Sequence, residues 1–226
     1  MSVHTATSVS EKIQVSPLQA SQRLILQGVS WETYESLLAD FVDSHAAHFT
    51  YNQGVLEIMV LSGQHEEYNR TLSMLVEVVA EELERNLRRL GSTTFKREDL
   101  HKGFEPDSCF YIQNEARIRG KQEIDLSIDP PPDLVIEIDI SHPSLDKLPI
   151  YSQIGVPEVW RYTGNELQIF TLCNEQYEDG THSTAFPLLS STVITQFLKE
   201  SLELRSTAWL RRVRAWVRSQ TQDNDQ

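Results

Sequence analysis

Cysteine is nearly absent from this sequence: 226 residues carry two, Cys109 and Cys173, far apart and in no Cys-x-x-Cys spacing. That excludes a disulfide framework and a zinc knuckle, and it points to reduced thiols in a cytoplasmic protein. Long apolar runs are lacking too, so no bilayer-spanning segment and no membrane partner are expected. The stretch from Met1 to Gln19 is polar, without the basic-then-apolar order of an export signal. Positive charge is scarce: 20 Lys and Arg stand against 33 Asp and Glu, a formal net charge of −13. A broad DNA-coating surface, which works by releasing counterions from phosphates, is thereby excluded. A local site in which a divalent cation neutralises carboxylates and faces a phosphate is compatible with that charge.

What is present reads as one substantial domain. Residues 1–20 are rich in Ser, Thr and Gln and predict a flexible tail. Trp31, Tyr34, Leu37, Leu38 and Phe41 mark one helical face, with Ser30 as its N-cap. Two β-rich runs, His48 to Tyr51 and Val55 to Val60, flank Asn52-Gln53-Gly54 and predict a hairpin. From Gln64 to Leu90, Leu72, Leu75, Val76, Val79, Leu83, Leu87 and Leu90 form the stripe of a long helix stopped by Gly91. Short strands are expected at Thr93 to Lys96 and from Phe104 to Ile112. A further strand runs from Asp133 to Ile140, and Asp146 caps a helix from Lys147 to Ile154. Glu158 to Tyr162 and Glu166 to Leu172 form a second hairpin, and two helices close the chain. The order predicts an α/β or α+β fold with a central mixed sheet flanked by helices. Its parts would be the tail at 1–20, a domain at 21–190, and a C-terminal helical extension at 191–226.

The segment Asp133 to Ile140, DLVIEIDI, carries the chemistry. With period two, Leu134, Ile136, Ile138 and Ile140 share one face, while Asp133, Val135, Glu137 and Asp139 share the other. A strand so apolar on one side is central and covered, so its carboxylates need a partner. Like charges about 4 Å apart repel by roughly 4 kcal/mol at an effective dielectric near 20. A shared proton, a basic group or a bound cation relieves this. In Glu105-Pro106-Asp107-Ser108-Cys109, Asp107 is opposite in parity to Phe104, Phe110 and Ile112. If the two strands are neighbours, Asp107 and Glu137 converge on one hard cation, Mg²⁺ or Mn²⁺.

Pro106-Asp107 followed by Glu137 inside an apolar strand resembles the layout of the PD-(D/E)XK nucleases. More narrowly, PPDLVIEIDI, then Lys147 with Tyr151 four residues on, then GVPEVW, resembles the Uma-type family of restriction endonucleases, abundant in cyanobacteria. The resemblance runs from about Trp31 to Leu172 and includes the Gly54/Glu57 hairpin and the His65 that opens the long helix. It implies a restriction-endonuclease-like fold and Mg²⁺-dependent or Mn²⁺-dependent hydrolysis of DNA. Asp107 and Glu137 would hold the metal, and a lysine would position the attacking water. That lysine usually lies two residues after the glutamate, where this chain has Asp139. Lys147, at the start of the next helix, is the replacement the pattern implies, and Asp139 is alternatively a third ligand.

Plainer readings stand beside these. Asp107 and Glu137 are alternatively structural carboxylates held by a turn or an arginine. Lys147 is alternatively a solvated helix-start lysine or the ion-pair partner of Asp146 or Asp139. His65 faces inward on its helix, where a hydrogen-bonded core histidine is an ordinary outcome. Glu57 shares a strand face with Val55 and Met59, and is either a surface glutamate or part of the same cleft. His45-Ala46-Ala47-His48 has a metal-like spacing but no evident third ligand. The arginines of the last helix, Arg211, Arg212, Arg214 and Arg218, are a solvated face or a phosphate-contacting element. The functional alternatives are an inactive nuclease-fold scaffold and a metal-dependent hydrolase of another substrate. A homodimer through the edge of the GVPEVW hairpin is also open.

Overall fold

The computed structural model describes residues 21–41, 47–140 and 145–222. The expected tail and His45 lie outside them. The chain begins with strand β1 (Gln22–Gln27), helix α1 (Trp31–Asp40), the hairpin β2 (Ala47–Asn52) and β3 (Val55–Val60), and helix α2 (Gly63–Glu82). Four short strands follow: β4 (Arg88–Arg89), β5 (Phe95–Arg97), β6 (Lys102–Phe104) and β7 (Ser108–Tyr111). Next come α3 (Glu115–Ile118), β8 (Leu134–Ile138), α4 (Leu148–Ile154), β9 (Glu158–Tyr162), β10 (Leu167–Cys173) and β11 (Gln176–Gly180). Helices α5 (Ser191–Glu203) and α6 (Ser206–Gln222) end the described chain.

The mixed sheet flanked by helices is there, six-stranded in the order β11-β10-β9-β8-β7-β4, with β8 and β9 parallel and the other pairs antiparallel. A second, five-stranded antiparallel sheet, β1-β3-β2-β6-β5, joins it. Leu134, Ile136 and Ile138 on β8 pack in the main core with Leu72, Val76 and Val79 of α2. Phe197, Trp209 and Val213 bring α5 and α6 into the same core. Val135, on the other face of β8, packs with Ile150, Tyr151 and Ile154 of α4. The strand is therefore covered on both faces, which removes solvent from its carboxylates. No helix among the described residues is long and apolar enough to cross a membrane.

Local rules set several boundaries. Ser30 caps α1, its hydroxyl accepting the Thr33 amide at 3.2 Å, and Ser62 caps α2 through the His65 amide at 3.2 Å. Gly155 ends α4 at φ +86°, a left-handed conformation that favours glycine. Helix α4 starts at Leu148 with Lys147 at its N-cap, one residue later than expected, and Asp146 Oδ1 accepts the Leu148 amide at 3.2 Å from the position before the cap.

Three expectations are corrected. The long helix stops at Glu82, not Leu90, because Glu84 turns left-handed at φ +53° and Arg88–Arg89 pair with β7. Leu83 and Leu87 still meet the core, so their periodicity was real while the backbone was not helical. The single strand expected from Phe104 to Ile112 is two strands in different sheets, with Glu105-Pro106-Asp107 as the crossover. Proline lacks the amide a ladder needs, which suits it to that break. The GVPEVW segment offers no edge for self-association: β9 lies between β8 and β10, and β11 covers β10.

Candidate active site

The crossover delivers Asp107 to the carboxyl end of β8. Ser108 pairs with Ile136 across the antiparallel β7–β8 ladder, so Asp107 stands across from Glu137 one position further on. Asp107 Oδ2 accepts the Ile138 amide at 2.7 Å, and the Asn69 side chain of α2 donates to the Asp107 carbonyl at 2.9 Å. The convergence expected from strand parity is thus present, with the aspartate placed just outside its strand.

Histidines flank Asp107 on both sides. His65, in the first turn of α2, brings Nε2 to 3.2 Å from Oδ2, and His48 of β2 brings Nδ1 to 3.6 Å from Oδ1. The His48 contact is too long for a hydrogen bond, and the His65 contact is poorly aligned for one. Burial alone would raise the Asp107 pKa, but the two histidines and the Lys147 charge outweigh it and hold the carboxyl well below its usual range. Burial pulls His65 down, and the Asp107 carboxylate overcomes this and raises it.

Glu137 has a different environment. Lys147 Nζ lies 2.7 Å from its Oε2, and the Tyr151 hydroxyl donates to its Oε1. Both donors come from the N-terminal half of α4, four residues apart and hence on one helical face. Lys147 Nζ also lies 3.5 Å from the Glu105 carbonyl. Burial raises the Glu137 pKa, with Asp107 adding to it against the opposing pull of Lys147. Burial pushes Lys147 down, but Glu137, Asp107 and Glu57 restore and raise it, so it stays an ammonium.

Every nominated residue can now be placed. Asp107, Glu137, Lys147 and His65 come together, and all are buried. Glu57 is no surface glutamate: it is 1% exposed, accepts the Leu145 amide at 2.9 Å and lies 3.6 Å from Arg23. Asp139 lines a small cavity of about 130 Å³ with Glu137, Lys147 and Tyr151. Asp107 and His48 open instead onto a cleft of about 870 Å³ beside α2. His48 was missed as a site residue. The sequence pairs it only with His45, at a metal-like spacing; it lies in the expected strand, and nothing local in the sequence places it beside Asp107. The arginines of α6 do not contact the cleft: Arg214 and Arg218 pair with Glu81 and Glu82 of α2, and Arg212 lies 3.6 Å from Glu200. They dock one helix on another.

Donor chemistry bears on whether a metal fits. Asp107 Oδ1, His48 Nδ1 and His65 Nε2 are buried without a hydrogen-bond partner among the described residues. Buried polar atoms of this kind are costly without a partner. No three His, Cys, Asp or Glu side chains among the described residues are already arranged around one ion position. Lys147 and Tyr151 hold both oxygens of Glu137. The donors left open at this site are those around Asp107.

Residues 31–204 match the sequence profile of a family named Uma2 and described as "Putative restriction endonuclease". No curated protein matches the chain. Among solved structures, a chain from Anabaena variabilis ATCC 29413, titled a putative nuclease belonging to DUF820, is similar at a TM-score of 0.46 and 17% identity. That alignment covers 71% of this chain and 98% of the other.

Proposed function

We propose a metal-dependent endonuclease function for this chain, from the premise that it belongs to the Uma2 family over residues 31–204. The reaction is hydrolysis of a DNA phosphodiester bond. Asp107 would be the principal ligand of a divalent cation, with the His65 and His48 nitrogens that flank its carboxylate, and Glu137 across the ladder, as further candidates. Mg²⁺ suits the carboxylates, and the imidazoles favour Mn²⁺. When bound, the cation supplies charge stabilisation at the phosphate and lowers the pKa of a water. Lys147 would position the attacking water, and its charge opposes the upward push of burial on Glu137. Tyr151 fixes the glutamate rotamer from the opposite oxygen.

The observation that carries this reading is the 2.7 Å contact between Lys147 Nζ and Glu137 Oε2. Asp139 occupies the position where nucleases of this pattern keep their lysine. The amine arrives instead from α4 and reaches the same carboxylate. A second reading, an inactive scaffold, draws on Glu137 being fully engaged by its own chain.

Incubating supercoiled plasmid with the protein and Mn²⁺ or Mg²⁺ tests this. Wild type is expected to nick or linearise the plasmid, and Asp107→Asn to lose at least about 100-fold of the rate. Equal cleavage by both proteins refutes the assignment. Cation binding with no cleavage by wild type on plasmid or single strands selects the scaffold.

A further inference from the structure

The cleft that reaches Asp107 has one wall built from a single stripe of α2. Glu66, Arg70, Ser73 and Glu77 recur at i, i+4, i+7 and i+11, and all four line the cleft. At 1.5 Å per residue the stripe is about 16 Å long, room for several consecutive backbone phosphates. Opposite it stands Arg89 of β4, across the ladder from Phe110 and hence three residues, or about 10 Å, along the sheet from Asp107.

Both arginines of the cleft are already held by glutamates of that stripe. Arg89 Nη1 lies 2.7 Å from Glu77 Oε2, and Arg70 Nε lies 2.7 Å from Glu66 Oε1. These pairs are open to solvent: Arg89 is 62% exposed and Glu77 35%. An exposed pair holds its partners weakly, so an arriving phosphate, which arginine can grip with two parallel hydrogen bonds, can displace the glutamate. Ser73, Ser92 and Ser108 also line the cleft, the hydroxyls of Ser73 and Ser108 bonded to each other at 2.9 Å, and serine commonly binds phosphate oxygens. The one aromatic residue of the lining, Phe110, is 2% exposed, leaving no platform on which a base would stack.

We propose that Arg89 grips a backbone phosphate flanking the one at Asp107, and that Glu77 holds it in reserve when the cleft is empty. The proposal rests on the nuclease reading and names how the same site takes its substrate. The cleft reads the phosphodiester backbone, not the bases. The reserve pairing also fits the chain's acidity: a free basic track would collect polyanions without selection, whereas a masked one yields only to a well-placed phosphate.

Fluorescence anisotropy of a labelled duplex, in EDTA so that no cleavage occurs and across a range of salt, tests it. Arg89→Ala is expected to weaken binding by about tenfold and to flatten the log K against log salt slope by about 0.9, one phosphate contact. Arg89→Lys keeps the slope, which separates lost charge from a lost fold. Glu77→Gln frees the arginine and tightens binding about threefold, and Glu77→Gln with Arg89→Ala behaves like Arg89→Ala alone. Arg218→Ala, away from the cleft, binds as wild type. The proposal is overturned if wild type binds and cleaves while Arg89→Ala matches it, or if Glu77→Gln weakens binding. Those outcomes leave the nuclease reading standing. A wild type that neither binds nor cleaves DNA removes both.

Discussion

Asp107 and Glu137 are both buried carboxylates facing each other across one ladder, yet they are built to opposite ends. Asp107 sits between two imidazoles and a strand amide, has its pKa pushed down, keeps one oxygen without a partner and opens onto the large cleft. Glu137 has both oxygens claimed by Lys147 and Tyr151, has its pKa pushed up and opens onto the small cavity. Burial acts in the same direction on both, so the neighbours decide the outcome. The difference separates a carboxylate with an open oxygen from one that holds an amine in place.

Removing Lys147 breaks the comparison most severely, because it leaves Glu137 buried beside Asp107 with only the tyrosine. Lys147→Met is expected to cost about 3–5 kcal/mol in chemical denaturation, the range for an orphaned buried charge. Adding Glu137→Gln should return most of that stability, while plasmid cleavage stays lost in both variants. Full cleavage by Lys147→Met would take the lysine out of the site.

The two halves can be separated by their smaller members. His65→Asn is expected to weaken Mn²⁺ affinity by about 10–100-fold, as loss of a group orienting or ligating a metal does. Tyr151→Phe should leave that affinity within a few-fold and instead lower stability by about 1–2 kcal/mol, one hydrogen bond to a charged acceptor. If Tyr151→Phe costs more cation affinity than His65→Asn, the halves are assigned the wrong way round.

Acid provides the gentlest test. The folded Asp107 carboxyl lies below its unfolded value, so its stabilisation is fully present above the unfolded pKa, about 3.9, and fades as pH falls through the depressed folded value. In EDTA, the stability gap between wild type and Asp107→Asn should be constant from about pH 5 to 6 and shrink in stronger acid. A gap that widens on acidification contradicts the depressed pKa.

How much of this was legible in the sequence depended on the range of the cause. Helix α1 with its Ser30 cap, the β2–β3 hairpin and the apolar strand β8 follow from patterns within ten residues, and all are present. Asp107 beside Glu137 also followed, through parity on neighbouring strands. What failed depended on distant partners. The end of α2 is set by pairing of Arg88–Arg89 with β7, which periodicity does not register. The split of Phe104 to Ile112 places β6 in the smaller sheet, where a Cβ at Gly103 would collide with the Tyr34 hydroxyl of α1. That glycine was the available signal for a close approach, and its meaning appears only with Tyr34 beside it. Strands β1 and β11, which lie at sheet edges, were not anticipated. His48 meets Asp107 across 59 residues of chain, a contact no local rule supplies.

The central claim is that the Asp107 side of the site is a cation position left open by its own chain. Calorimetric titration of Mn²⁺ into wild type and Asp107→Asn tests it most directly. Wild type is expected to give a saturable heat, with its affinity lost in Asp107→Asn while circular dichroism shows both folded. The same heat and affinity from the two proteins would contradict it.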